Sequence, residues 1–138
     1  MVITPMTQLK SYDISVLVNN VGVDVLSPYH ELTEQEIVNL ITVNCLPVSV
    51  LNHRFIPKLL SRDKKSAIIN VASLAGEIPM ALHNVYSASK AFADFLSRSL
   101  NHEYPELDII SLRPSEVSTP MTYHKKKDLL TIDPEDCA

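Results

Sequence analysis

Ala67-Ile68-Ile69-Asn70-Val71 is the segment that decides the fold class. Its apolar residues run almost without interruption and several are β-branched, which is typical of a short strand that helices cover on both faces. Residues 14–18 and 109–112 have the same character. The sequence therefore predicts three buried strands, each separated from the next by a longer segment with a different periodicity.

The segment between the first two predicted strands has a helical pattern. Thr33 and Glu36 form a capping box, with threonine at the N-cap and glutamate at N3, so we expect a helix to begin there. Pro47 and Pro57 lack a backbone donor and are expected to interrupt or kink this helix. The apolar residues expected on its inward stripe recur at intervals of three and four: Ile37, Leu40, Ile41, Val48, Leu51, Phe55 and Leu59.

A second helix is predicted over residues 86–104, and Pro105 ends it because proline restricts the residue before it. The residues expected to face inward on this helix are Ala88, Ala91, Phe92, Phe95, Leu96 and Leu100. Strands that alternate with helices predict a parallel sheet in an α/β domain, with ligands bound beyond the carboxyl ends of the strands. We expect residues 1–138 to form one partial domain, with residues 13–120 as its core.

The composition is that of a soluble globular protein, with 46% hydrophobic and 20% charged residues among 138. The net charge of −4 offers no broad positive field to a phosphate backbone, so nucleic acid is not an expected partner. No apolar run reaches the roughly 18 residues that a membrane-spanning helix needs, and the first residues lack the pattern of a secretion signal. These features predict a cytoplasmic chain.

Cysteine and histidine indicate no metal centre. The two cysteines, Cys45 and Cys137, fit neither a disulfide framework nor a zinc site, and both are expected to be free thiols. The histidines considered show no ligand spacing: His30, His53, His83 and His102.

Glycine is rare, since the chain has only Gly22 and Gly76 where average usage of about 7% predicts about ten. A G-x-G-x-x-G loop and a P-loop both need glycines at fixed short spacing, so that backbone N–H groups can approach phosphate closely. Neither loop can be written with these two residues. The chain therefore lacks a recognisable glycine-rich phosphate-binding turn.

Polar residues able to do chemistry follow the predicted strands. Ser73 comes soon after the second strand, and Tyr86 and Lys90, four residues apart, share one face of the second helix. A phenol titrates near pH 10, and a neighbouring ammonium stabilises its ionised form. Tyr86 and Lys90 taken alone also fit an aromatic side chain packed at a helix start and a solvated lysine. Asn44, on the apolar stripe of the first helix, has either a functional role or a core hydrogen bond.

Five motifs, in order, resemble those of the short-chain dehydrogenase/reductase family. They are Asn19-Asn20-Val21-Gly22, Asn44, Ser73, the Y-x-x-x-K pair Tyr86 and Lys90, and Arg113-Pro114-Ser115-Glu116-Val117-Ser118-Thr119. Ser115 departs from the family, which usually has glycine there. The resemblance implies a Rossmann-like, doubly wound parallel sheet. This chain would hold family strands 4 to 6 and lack the N-terminal glycine-rich βαβ unit.

The resemblance also implies hydride transfer between NADP(H) or NAD(H) and a carbonyl or alcohol. Tyr86 would exchange a proton with the substrate oxygen, which Ser73 would orient. Lys90 would hold the nicotinamide ribose and lower the pKa of Tyr86. Asn44 would position a water that relays protons from Lys90. Three residues would add cofactor contacts, to the adenosine ribose, the carboxamide and the phosphates: Asn19, Val117 and Thr119.

Three stretches carry a closer resemblance: Asn19-Asn20-Val21-Gly22, Tyr86-Ser87-Ala88-Ser89-Lys90 with the following Ala91-Phe92-Ala93-Asp94-Phe95, and Asn101-His102-Glu103-Tyr104. They most resemble the branch of very-long-chain 3-oxoacyl-CoA reductases and 17-beta-hydroxysteroid dehydrogenases. This resemblance implies a hydrophobic ketone, alcohol or acyl-CoA substrate and, for that branch, association with the endoplasmic reticulum membrane. Residues 121–138 would begin the substrate-loop region, where His124 and Lys125-Lys126-Lys127 face a phosphate or, as we favour, solvent. Without the N-terminal glycine-rich βαβ unit, the resemblance implies an oxidoreductase fragment that is inactive alone. The alternative is a catalytically silent protein that pairs through its two long helices with a full-length relative or a second copy.

Overall fold

A computed structural model describes residues 12–118, 122, 126, 128 and 131–137. Its main sheet confirms the predicted parallel arrangement, with strands in the spatial order β1 (Val16–Asn19), β2 (Ala67–Val71) and β3 (Asp108–Leu112). Three longer helices connect and cover these strands: α1 (Glu34–Asn44), α2 (Leu46–Leu60) and α3 (Asn84–Glu103). A second small sheet and a short helix follow: β4 (Glu116–Val117), β5 (Thr131–Ile132) and α4 (Pro134–Cys137).

The predicted capping box begins α1. The Thr33 hydroxyl accepts a hydrogen bond from the Glu36 backbone N–H at 3.2 Å, and the Thr33 N–H donates to the Glu36 carboxylate at 2.8 Å. The helix is then interrupted at Cys45, two residues before Pro47, which lies in the first turn of α2. Because the missing N–H of a proline is harmless in a first turn, the interruption falls where Pro47 is tolerated.

Pro57 does not interrupt α2, which continues through it to Leu60. The backbone carbonyl that loses a partner belongs to His53, four residues earlier, and His53 is exposed. Water can therefore satisfy that carbonyl, and the expected break is confined to Pro47.

The main hydrophobic core lies between the sheet and α2. It consists of Phe55, Ile56, Leu59, Ile68, Leu107 and Ile109. Of the stripe predicted on the first helix, Leu40, Val48, Phe55 and Leu59 are buried. The prediction is wrong for Ile41, which remains 50% exposed.

Only one face of the main sheet is covered in the described part of the chain. Successive side chains of a strand point to opposite faces, and the residues on the second face remain about half exposed: Val16, Val18, Ile110 and Leu112. The expectation that helices bury these strands on both faces is therefore wrong for the described residues.

The inward face of α3 is also corrected by the structure. Ala88, Phe92 and Phe95, predicted to face inward, lie on the exposed side, and the Phe95 side chain is 71% exposed. The buried residues of α3 are small or polar: Ser87, Ser89, Lys90, Ala93, Asp94 and Ser97.

The polar face of α3 matches a polar row on the sheet. Asn19, Asn70 and Ser111 are paired across the three strands. The Asn70 amide donates to the Ser97 hydroxyl at 2.9 Å, and the Ser111 hydroxyl donates to the Asp94 carboxylate at 2.6 Å. Buried polar groups need partners, so the strands select polar residues for the facing side of the helix.

Candidate active site

The carboxyl ends of the strands open into a cavity of about 190 Å³. Of the residues proposed from sequence, Ser73, Tyr86, Lys90 and Val117 line it together. The turn after β1 and the segment after β3 complete the wall. The further lining residues are Asn20, Gly22, Val71, Ala72, Pro114, Ser115 and Thr122.

Tyr86 lies in the first turn of α3, which aims its phenol at the end of β2. Burial raises the pKa of the Tyr86 phenol; a side-chain hydrogen bond with Ser73 opposes this effect, and the charge of Asp24 adds to it. The sequence suggested that Lys90 lowers this pKa. The Lys90 Nζ lies 5.7 Å from the centre of the Tyr86 ring, and burial is the largest cause of the shift. A lowering contribution from Lys90 remains a prediction.

Ser73 is held by the turn that follows β2. Its backbone is extended, and its hydroxyl accepts a hydrogen bond from the Ala75 N–H at 3.2 Å as the N-cap of a 3-10 turn, Leu74–Gly76. The next backbone N–H, that of Leu74, donates to the Pro114 carbonyl at 2.9 Å. These contacts fix the turn between β2 and the segment after β3, so the Ser73 hydroxyl has a defined position beside Tyr86.

Lys90 is a buried lysine, with 6% of its surface exposed. Its ammonium donates a hydrogen bond to the Val71 carbonyl at 2.8 Å, and burial lowers its pKa. Gly22 makes room for this group, since a Cβ at that position would lie 3.3 Å from the Lys90 Nζ. The Lys90 ammonium is thus held in the cavity wall by a backbone carbonyl.

Asn44 joins the turn after β1 to α3 at the end of α1. Its Oδ1 accepts from the Val23 N–H at 2.9 Å, and its Nδ2 donates to the Val23 carbonyl and to the Ser89 hydroxyl, each at 2.9 Å. The structure therefore gives the core hydrogen bonds that were one of the two alternatives for this residue. Its role in a water relay remains a prediction.

Asn19 lies outside the cavity. Its side chain is buried and donates hydrogen bonds to the Asn70 Oδ1 at 2.7 Å and the Asn52 Oδ1 at 3.0 Å. The contact of Asn19 with a cofactor ribose remains a prediction, and Asn20, which was not among the predicted site residues, lines the cavity. The two consecutive asparagines could have indicated this role for Asn20. Neighbouring residues at a strand end point in opposite directions, so one of the two can face the cavity while the other is buried. Thr119 lies outside the described residues, as do His124, Lys125 and Lys127.

A larger cavity of about 360 Å³ lies apart from these side chains, in an open groove between α1 and α3. Its lining is mainly apolar and includes Tyr29, Ile37, Ile41 and Val85. In the described ranges, no three metal-ligating side chains form a cluster. Nor does any helix there combine the length and apolar character needed to cross a membrane.

Residues 6–130 match the family model of the short chain dehydrogenases. The chain belongs to the short-chain dehydrogenase family. It is 38% identical over 133 residues to very-long-chain 3-oxoacyl-CoA reductase-B of Danio rerio, covering 92% of this chain and 42% of that protein. It is 34% identical over 136 residues to putative steroid dehydrogenase 3 of Caenorhabditis elegans, covering 93% of this chain and 42% of that protein.

Among solved structures, a short-chain dehydrogenase from Sphingobium yanoikuyae in complex with NADPH superimposes with a TM-score of 0.82 and 26% identity. The match covers 94% of this chain and 53% of that one. The predicted Rossmann-like fold is confirmed as a part of the family fold. The short-chain dehydrogenase chain described here spans less than half the length of the curated relatives it matches.

Proposed function

We propose that this chain is the catalytic portion of a reductase that transfers hydride from NADPH or NADH to a ketone. The observation that carries the proposal is the meeting of Ser73, Tyr86 and Lys90 at one cavity beyond the strand ends. A phenol, a hydroxyl and a buried ammonium around one space can bind a carbonyl oxygen and control its proton. Ligands of open α/β sheets bind at this edge.

Tyr86 carries its proton at neutral pH, which fits the reductive direction. A phenol whose pKa lies above its ordinary value is protonated at neutral pH, so Tyr86 holds the proton that the carbonyl oxygen needs. The Ser73 hydroxyl orients that oxygen through a hydrogen bond. Lys90 contributes a positive charge near the phenol, which stabilises the oxyanion that Tyr86 becomes after donation.

The residues present fit the nicotinamide end of the cofactor. Gly22 leaves space beside the Lys90 ammonium, and Asn20 and Val117 add a polar and an apolar wall to the same cavity. Lys90 would hold the hydroxyls of the nicotinamide ribose, and Val117 would meet the carboxamide. The cofactor, when bound, supplies the hydride.

The phosphates of the cofactor need a second part of the protein. Gly22 and Gly76 both lie against the Lys90 region, where their missing side chains are required for packing. Neither is available for a glycine-rich loop at a helix N-terminus, which is the usual cradle of a diphosphate. We therefore propose that the isolated chain does not hold the cofactor productively.

The proposed substrate is a 3-oxoacyl-CoA, on the strength of 38% identity to a protein named as a very-long-chain 3-oxoacyl-CoA reductase. A steroid ketone is the second candidate, because a relative at 34% identity is named as a putative steroid dehydrogenase. Exposed apolar side chains on the loop before α3 fit either hydrophobic substrate. They are Ile78, Met80 and Leu82.

The test has a binding arm and a turnover arm. Titration of the isolated chain with NADPH, followed by nicotinamide fluorescence, should show no micromolar binding, and such binding would refute the claim about the phosphates. In a version joined to the N-terminal part of a full-length relative, Tyr86→Phe should abolish ketone reduction and leave cofactor affinity nearly intact. Tyr12→Phe, at an exposed position, is the matched control. Unchanged turnover in Tyr86→Phe would remove the catalytic assignment.

A second candidate function is that of a silent interaction partner, and the outer face of α3 favours it. Phe92 and Phe95 are 44% and 71% exposed on α3, and the first turns of the same helix line the apolar groove between α1 and α3. Large exposed aromatic residues are enriched at interfaces. We propose that this face binds a second copy or a full-length relative. Light scattering should give a dimer mass for the chain and a monomer mass for Phe95→Glu, whereas a monomeric parent chain would contradict this role.

A further inference from the structure

A histidine–carboxylate pair lies next to Tyr86 and has no part in the function proposed above. The Nδ1 of His83 and the Oδ2 of Asp24 are 2.6 Å apart, and both side chains are largely buried. The other carboxylate oxygen of Asp24 accepts a hydrogen bond from the Val25 N–H at 2.8 Å. The carboxylate is therefore fixed from two sides, and the imidazole is held in one orientation by its Nδ1.

The backbone brings these two residues together at the N-terminus of α3. His83 is the N-cap residue of α3, but its side chain makes no capping hydrogen bond and is directed to Asp24 instead. The residue before it, Leu82, has a φ of 66°, in the left-handed region that a leucine rarely adopts. The Leu82 carbonyl accepts a hydrogen bond from the Ser27 N–H at 3.1 Å, which ties the same two loops together a second time.

His83 lies one helical turn before Tyr86, and their rings meet edge to face. The ring centroids are 6.3 Å apart with an interplanar angle of 61°. The charge of Asp24 reaches the same phenol and contributes to its raised pKa. The groups that face Tyr86 are thus Ser73 from the turn after β2, Lys90 from α3 itself, and the Asp24–His83 pair from the two loops.

We propose that Asp24 and His83 are positioning residues for Tyr86, and that the protonation state of this pair sets how strongly the phenol holds its proton. The proposal rests on the role of Tyr86 in the proposed function. With His83 neutral, the pair carries the negative charge of Asp24 and opposes ionisation of the phenol. With His83 protonated, the two charges cancel and the phenol gives up its proton more readily. The reductive step should therefore become easier as His83 takes up a proton.

The pair can be tested without cofactor or substrate. The chain is labelled with carbon-13 at the ring Cζ of tyrosine, and the Tyr86 signal is assigned by its loss in Tyr86→Phe. Its chemical shift is then followed from pH 4 to pH 9, where histidine and carboxylate groups titrate and an ordinary phenol does not. Circular dichroism over the same range checks that the chain remains folded.

The expected result is an inflection of the Tyr86 signal that coincides with titration of the His83 ring. The inflection should disappear in His83→Gln and persist in His53→Gln, a change at an exposed histidine of α2. When the titration is continued to alkaline pH, Asp24→Asn should lower the pH at which the Tyr86 phenol ionises, whereas Asp63→Asn, in an exposed turn, should leave it unchanged. A merely structural role for the pair would not produce this spectroscopic coupling.

Two results would overturn the proposal. One is a flat Tyr86 signal across the titration of His83 in the unmodified chain, a measurement that needs no variant to fold. The other is an inflection that survives in His83→Gln. Neither depends on cofactor binding or turnover, so a failure of the proposed function and a failure of this pair would be seen separately.

Discussion

Gly76 lies directly against the backbone of Lys90. A Cβ at position 76 would stand 2.8 Å from the Lys90 carbonyl carbon and 2.8 Å from the Ala91 nitrogen. The turn that carries Ser73 is thereby pressed onto the helix that carries Tyr86 and Lys90. One small residue thus sets the separation of the proposed catalytic groups.

Gly76→Ala should destabilise the fold. The added methyl group meets rigid helix backbone, and overpacking of this kind costs about 1–3 kcal/mol. Urea unfolding followed by circular dichroism measures the loss. Ala75→Gly, in the same turn, is a control for altered backbone flexibility alone, and an unchanged midpoint in Gly76→Ala would contradict the close contact.

Gly22→Ala should affect cofactor binding more than the stability of the fold. Its Cβ would meet the end of the flexible Lys90 side chain at 3.3 Å, so the ammonium can shift with a small loss of stability. The shift would break the hydrogen bond from Lys90 to the Val71 carbonyl. In the version joined to the N-terminal part of a relative, we expect a larger loss of cofactor affinity than of stability. A variant that binds NADPH as tightly as its parent would show that Lys90 need not occupy its observed position.

The alkaline stability of the chain should depend on Tyr86. Burial raises the pKa of this phenol in the folded state above its ordinary value of about 10. Between those two values the folded state binds more protons than the unfolded state, so the contribution of Tyr86 to stability is complete below pH 10 and is lost as pH rises through the folded pKa.

Tyr86→Phe should therefore lose less stability than its parent between about pH 10 and pH 11. Lys90, whose pKa burial lowers, contributes a rise of stability with pH in the alkaline range. That contribution is common to both chains and cancels in the comparison. Urea unfolding at pH 8 and pH 11 gives the difference, and parallel losses in the two chains would show that the phenol is not buried as described.

Asn70→Ala should be among the most damaging single changes in the core. Asn70 is fully buried, accepts a hydrogen bond from Asn19 at 2.7 Å and donates one to Ser97 at 2.9 Å. Its removal leaves the Asn19 amide with one partner fewer in the interior, at a cost of about 2 kcal/mol or more. Asn101→Ala, at an exposed position of α3, should cost little by comparison in the same denaturation assay.

Local patterns in the sequence were enough to predict the strand β2, the capping box of α1 and the meeting of Ser73, Tyr86 and Lys90. Each of these depends on neighbouring residues or on the rule that parallel strands end at one edge of a sheet. The face of α3 could not be predicted in the same way. An apolar stripe that includes Phe92 and Phe95 has the same helical periodicity whether it packs on a sheet or faces outward. Which face of α3 packs on the sheet depends on Asn70 and Ser111, which are distant in sequence.

The direction in which the pKa of Tyr86 shifts could likewise not be predicted from the sequence. The spacing of Tyr86 and Lys90 suggests an ammonium beside a phenol, but the balance between charge and burial depends on the surrounding cavity. The contact between His83 and Asp24 joins residues 59 positions apart. No spacing rule connects two such loops, and neither residue belongs to the motifs that suggested the family.

The half-exposed row of Val16, Val18, Ile110 and Leu112 makes the thermal stability of this chain depend on its surroundings. A molecule that binds this row only in the folded state raises the melting temperature, and raises it further as its concentration increases, by mass action. Measured stability should then vary between a dilute purified sample and a cell that contains such a molecule. In a cell that lacks such a molecule, chaperones and proteases can bind the same exposed row. The abundance of the chain in the cell should then report whether the row is covered.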